Sequence, residues 1–142
     1  MAHTEQQYAT IAHRLCAALN AHDLDRVVAS FTEDYVNETP AHPSRGFRGR
    51  EQVRRNWTQI FATVPDIGAT VRAADQVGGT VWSEWEMSGT RTDGAEHRMR
   101  GVMIFTVAGE LASAVRFYLE PVDSDSADAD QAVRHLLTNP RP

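Results

Sequence analysis

The sequence predicts an α+β fold in which three helices come first and a curved, mainly antiparallel sheet wraps around them. Apolar residues recur at helical spacing from Tyr8 to Val64, and after Asp66 the period changes to two. Gly78-Gly79, Asp93-Gly94 and Gly109 separate the long alternating runs of the second half. Tight hairpin turns need positive φ, so these glycines mark the joints of an antiparallel meander. Helices laid in the hollow of such a sheet leave a pocket between the layers, and a pocket of that kind is a ligand site by default.

The elements follow in order. Thr4 with Gln7 makes a capping box for the first helix, and Tyr8, Ile11, Leu15 and Leu19 form its buried stripe. The helix should stop near Asn20-Ala21-His22. Asp23 caps a second helix over 24–31, with Leu24, Val27, Val28 and Phe31 facing inward. Tyr35 to Thr39 reads as a short strand that Pro40 and Pro43 end, followed by a loop to Gly49. A third helix starts at Glu51, turns Val53, Trp57, Ile60, Phe61 and Val64 to one face, and stops at Pro65. Strands are expected over 67–77, 80–91, 96–107 and 111–120. Residues 1–122 form the domain. Residues 123–142 form an acidic tail in which Val133, Leu136 and Leu137 could make a short docked helix.

With 142 residues the chain is one domain with a full core, and its net charge of −5 argues against a nucleic-acid partner. No apolar run is long enough to span a membrane, and the N-terminus lacks a secretory apolar core, so a cytoplasmic location is expected. A single cysteine, Cys16, excludes an internal disulfide and reads as a buried, inert thiol. The six histidines are scattered without the spacing of a zinc site, and no phosphate-cradling loop or nucleophile elbow is present, so neither a metal nor a cofactor is expected. Arg45, Arg48, Arg50, Arg54 and Arg55 read as a solvated loop and helix face in preference to an anion site.

Alternation assigns the two faces of the sheet. Val81, Ser83, Trp85 and Met87, then His97, Met99, Gly101, Met103 and Phe105, then Val115, Phe117 and Leu119 face the helices. On the outer face, Trp82, Val102, Ile104 and Tyr118 form a patch flanked by Glu84, Glu86, Arg100 and Arg116. Such a face is expected to pair with its twin in a homodimer.

Several segments resemble a known family. Ala17-Ala-Leu-Asn-Ala-His-Asp-Leu-Asp25, Phe31-Thr-Glu-Asp34 and Gly46-Phe-Arg-Gly-Arg-Glu51 are similar to the helical half of the nuclear transport factor 2-like superfamily. Trp85-Glu-Met-Ser-Gly-Thr90 and Arg116-Phe-Tyr-Leu-Glu120 are similar to its sheet, and the pattern most resembles the SnoaL-like proteins, relatives of ketosteroid isomerases and limonene-epoxide hydrolases. The resemblance implies a cone-shaped α+β barrel with a deep apolar pocket. It also places the ketosteroid isomerase tyrosine at Leu15, its base at Thr39 and its second aspartate at Met103. The epoxide hydrolase triad falls at Trp85, Met87 and Phe117, and its water-holding pair near Asn37 and Thr39. Leu, Met and Phe can neither move a proton nor stabilise an enolate, so both of those mechanisms are disfavoured. The SnoaL-type acid–base aspartate falls near Leu119, and a slip of one residue would bring Glu120 inward instead.

Glu38, His42 and His97 remain as catalytic candidates. Strand alternation puts Asn37 and Thr39 on one face and Glu38 on the other, unless the strand is bulged before Pro40. The expected ligand contacts are Leu15, Asn37, Thr39, Trp57, Phe61, Ser83, Trp85, Met87, Met99, Met103, Phe105 and Phe117, with indole N–H groups and Ser83 as donors. The chain is therefore expected to bind a hydrophobic metabolite such as a polyketide, terpenoid or steroid-like compound. If it is an enzyme, the chemistry is isomerisation, cyclisation or dehydration by proton transfer. The alternatives are a non-catalytic binding or accessory domain, and a structural homodimer with a filled core.

Overall fold

The computed structural model describes residues 9–138. The Thr4–Gln7 capping box and Tyr8 lie outside the described residues. The first described helix, α1, is Ile11–Asn20, and its cap is Thr10. The Thr10 hydroxyl accepts from the Ala12 amide, and His13 Nδ1 accepts from the Thr10 amide, so His13 takes the place usually held by Glu or Gln. Ile11, Leu15 and Leu19 are buried as their spacing requires. The chain leaves α1 through His22, a non-glycine residue at φ +52°. Its ring compensates: Nε2 lies 2.7 Å from the Ile67 carbonyl and the imidazole stacks on Phe61 at 4.9 Å.

Helix α2, Leu24–Ala29, begins at Asp23, whose carboxylate accepts from the Arg26 amide. It stops two residues before the expected end because Ser30 and Phe31 turn to pair with Ala112. Strand β1 is therefore longer than Tyr35–Thr39 and spans Phe31–Glu38. The segment expected to be a plain loop holds a 3₁₀ turn, Pro43–Arg45, and a two-residue strand β2, Phe47–Arg48, antiparallel to β1. Gly46 permits this return, since a Cβ there would sit 3.0 Å from the Asn37 carbonyl oxygen. Helix α3, Arg50–Thr63, buries Val53 and ends before Pro65.

The meander consists of β3 (Gly68–Val77), β4 (Thr80–Thr90), β5 (Glu96–Ala108) and β6 (Leu111–Pro121), joined at the predicted glycines. Strand β1 adds parallel to β6, giving the order β2-β1-β6-β5-β4-β3. The sheet is curved and does not close, which gives the expected cone shape with one side open. One edge is the short β2. At the other, the Asn20 side chain of α1 brackets Ala69 of β3, accepting from its amide at 2.7 Å and donating to its carbonyl at 2.9 Å. Those edge groups are satisfied by a side chain and need no further strand.

The predicted register holds across the meander. Val81, Phe105 and Val115 share one inner row, and Ser83, Met103 and Phe117 the next. Trp82, Ile104 and Arg116 share an outer row, but Ile104 is only 6% exposed and adds little to the outer patch, whereas Trp82 and Tyr118 are well exposed. The tail forms a ten-residue helix α4, Ala129–Thr138, in place of one turn. None of its residues is buried, and Leu136 and Leu137 are each 76% exposed, so the expected docking onto the domain is not observed.

Strands β5 and β6 approach most tightly at Gly101, which adopts φ +154° and faces Trp85 and Leu119. A Cβ at this position would lie 2.1 Å from the Tyr118 carbonyl oxygen and 2.8 Å from Leu119 Cα. Both obstacles are backbone and cannot rotate away. Gly101→Ala is predicted to lower unfolding stability by about 3 kcal/mol, measured by urea denaturation. A change within experimental error would show that this approach tolerates a side chain.

Candidate functional site

Between α1, α3 and the concave face lies a cavity of about 360 Å³. This volume is in the range that holds a small molecule. Met87, Met103, Phe105, Val115 and Leu119 of the sheet supply its buried apolar wall, and Leu15, Val53 and Trp57 of the helices face them. Its inner end is at the row of Asn37, Val115 and Phe105. His97, Met99 and Pro121 line it toward the opposite end of the sheet.

One wall is different. Tyr35, Asn37 and Thr39, at alternate positions along and just beyond β1, all line the cavity and are 3%, 8% and 6% exposed. None of their side chains makes a hydrogen bond with another described residue, and Asn37 Oδ1 is sealed from solvent without a partner. Burial pushes the Tyr35 phenol well above its ordinary pKa, so its hydroxyl stays protonated and can donate. Leaving a sealed acceptor such as Asn37 Oδ1 unpaired costs about 1–3 kcal/mol. Together the three side chains form a row of uncharged hydrogen-bonding groups facing an apolar wall.

The structure distributes the predicted residues unevenly. Leu15, Asn37, Thr39, Trp57, Met87, Met99, Met103, Phe105 and Phe117 line the cavity. Ser83 and Trp85 do not. The Trp85 indole donates to Ser83 Oγ at 2.8 Å, and that hydroxyl donates to the Met103 carbonyl at 2.6 Å. Both are fully used within the core, which corrects the expectation that they serve a ligand. Phe61 is turned to His22 and packs against Trp57, behind the cavity wall.

Of the acid–base candidates, only His97 lines the cavity. Glu38 is exposed and paired in register with Arg116 on the outer side, because the irregularity of β1 lies between Phe31 and Val36 and the pairing is regular from Val36 to Glu38. His42 points to Glu120, with Nε2 3.0 Å from Oε1, and neither borders the cavity. Glu120 pairs with Arg100, so the register does not slip and Leu119 is the inward residue. Asp66 is a turn former, accepting from the Thr90 amide at 2.7 Å. Cys16 is half-buried, its thiol donates to the Ala69 carbonyl at 3.4 Å, and desolvation raises its pKa, so it is held as an unreactive thiol. No group of three His, Cys, Asp or Glu able to hold a metal exists among the described residues. No helix among them is long and apolar enough to cross a membrane.

Sequence reasoning passed over Tyr35, Asn56 and Arg45, which also line the cavity. The first two had a signal. Tyr35 continues the alternation of Asn37 and Thr39, and Asn56 sits at helical spacing between Val53 and Ile60.

A family model described as the SnoaL-like domain matches residues 12–115, which contain most of the helices and sheet that build this cavity. The chain belongs to the SnoaL-like domain family. Among solved structures, it is similar to an uncharacterised cystatin-fold protein from Novosphingobium aromaticivorans (28% identity, TM-score 0.63, covering 76% of this chain and 94% of that one). It is also similar to a Catenulispora acidiphila protein with a ketosteroid isomerase-like fold, solved with trimethylamine (18% identity, TM-score 0.67, 78% and 87% coverage). A nuclear transport factor 2-like protein from Exiguobacterium matches over 81% of this chain and 100% of its own (16% identity, TM-score 0.65). No curated protein matches the sequence. The SnoaL-like assignment fixes the fold and the presence of a helix-lined concave face, and the residues lining that face must supply the chemistry.

Proposed function

We propose that this SnoaL-like protein binds a hydrophobic small molecule carrying oxygen functions, of the polyketide, terpenoid or steroid-like class, in the cavity between helices and sheet. The observation that carries this reading is the row Tyr35, Asn37 and Thr39: three buried polar side chains without a hydrogen bond to a described residue, Asn37 Oδ1 sealed among them, facing the apolar wall of the sheet. A ligand hydroxyl would donate to Asn37 Oδ1 and a ligand carbonyl would accept from the Tyr35 hydroxyl, and the carbon skeleton would lie against Met87, Met103 and Phe105.

The catalytic form of this reading assigns proton transfer to His97. Its imidazole lines the cavity and has no hydrogen-bond partner among the described residues, so both ring nitrogens are available to a ligand. The products would be those of isomerisation, cyclisation or dehydration, which need a proton moved and no redox partner. The second reading, a ligand-binding protein without catalysis, is favoured by one feature. No carboxylate lines the cavity among the described residues, so His97 has no acid or base opposite it.

A panel of polycyclic ketones, terpene epoxides and aromatic polyketides separates these readings. Conversion by the wild type should fall at least a hundredfold in His97→Gln while ligand retention by native mass spectrometry is unchanged. Turnover that survives His97→Gln would remove the catalytic assignment, and binding without turnover in the wild type would select the second reading.

The reading includes a homodimer through the outer sheet face. Trp82 and Tyr118, 50% and 39% exposed, are rimmed by the Arg72–Glu86–Arg100 ion pairs at 3.1 and 2.8 Å, an apolar centre with a charged border. Sedimentation at micromolar concentration should give a dimer that Trp82→Glu converts to monomer. A wild-type monomer would contradict this part of the proposal.

A further inference from the structure

The geometry points to Arg45 as an anion seat at the cavity, so that the ligand is an apolar carboxylic acid. This inference rests on the cavity-binding reading above and narrows it. Arg45 lines the cavity, yet its guanidinium has no ion-pair or hydrogen-bond partner among the described residues. The neighbouring arginines of α3 are engaged: Arg50 with Glu33 and the Phe31 carbonyl, Arg54 with Asp25, and Arg55 with Gln52.

The backbone that carries Arg45 is fixed. The Arg45 amide donates to the His42 carbonyl at 2.9 Å, the Gly46 amide to Pro43 at 3.3 Å, and the Gly49 amide to Tyr35 at 2.7 Å. Phe47 pairs with Asn37 in the next residues. His42, at the start of this turn, is tied to Glu120 of β6. The guanidinium therefore projects from a turn anchored on both sides, and its attachment is ordered before any ligand arrives.

A second donor lines the same cavity. Asn56 Oδ1 accepts from Gln52 Nε2 at 2.7 Å, which leaves the amide N–H groups of Asn56 facing outward from that bond. A carboxylate can take a planar fork from arginine and a further N–H from an amide. With a net charge of −5, the protein offers little general attraction to anions, so this local cation would decide whether an acid or its neutral derivative is held. Arg45 is exposed, as expected of a solvated loop, and it also lines the cavity, so its guanidinium stands where solvent and ligand both reach it. Its place in the lining and its lack of a partner set it apart from Arg50, Arg54 and Arg55.

The test compares 1-pyrenebutanoic acid with its methyl ester, using energy transfer from tryptophan to pyrene to read binding at pH 7. Wild type should bind the acid roughly tenfold tighter than the ester, the equivalent of one charge-assisted contact. Arg45→Ala should erase that preference by weakening the acid roughly tenfold more than the ester, and Arg45→Lys should restore part of it. Raising salt should weaken the acid and not the ester. Equal binding of acid and ester by wild type, or equal losses for both in Arg45→Ala, would overturn the anion seat while leaving the cavity reading in place. Binding of neither probe would overturn the cavity reading and the anion seat with it.

Discussion

The rest of the sheet depends on the close approach of β5 and β6 at Gly101. No side chain stands between β5 and the Tyr118 carbonyl there, and a Cβ would meet the backbone of Tyr118 and Leu119. The two strands can therefore stay paired from Met99 and Pro121 to Ala108 and Leu111, the length over which the sheet curves around the helices. Three register shifts, between β1 and β6, between β3 and β4, and between β5 and β6, add twist to the sheet. The helices α1 and α3 then lie across a hollow they do not fill.

The hollow is stabilised by its deepest layer. Val81, Trp85 and Phe105 are wholly buried, and the Trp85–Ser83–Met103 hydrogen-bond chain consumes the polar atoms of that layer. Burial of side chains of this size is worth about 1.5–3 kcal/mol each. Against that background, Asn37 Oδ1, sealed without a partner in the row Tyr35, Asn37 and Thr39, is an exception. Ser83 shows that the fold can satisfy a buried hydroxyl within its core. The exception lies on the side that borders the cavity, the distribution the ligand-binding proposal rests on.

Much of this was legible in the sequence. The meander could be read because each glycine joint demands positive φ and each strand keeps period two, so the inner rows followed by counting. The β1 region was harder. Its pairing is parallel and to β6, remote in sequence, so no hairpin signal announced its length, and β2 is two residues held by the close approach at Gly46. The site was partly legible for the same reasons. Asn37 and Thr39 followed from alternation. Ser83 and Trp85 were misassigned because both face inward, and inward-facing residues of one strand can belong to core or to cavity. Their mutual hydrogen bond, two residues apart on one face, decides for the core. Glu38, His42 and Glu120 were candidates by chemical type alone, and the fold directs all three outward. Arg45 could not be singled out because its partner-free state depends on which carboxylates the other arginines reach.

The central claim is that an apolar cavity with one polar wall recognises an oxygen-bearing hydrophobic ligand. The most direct measurement compares the affinity of the wild-type protein for 9-fluorenol with that for fluorene, alike in ring system and differing in one hydroxyl, with Asn37→Leu alongside. The account predicts that 9-fluorenol binds about tenfold tighter, its hydroxyl donating to Asn37 Oδ1, and that Asn37→Leu removes most of the difference. Equal affinity for the two compounds in the wild type would contradict it.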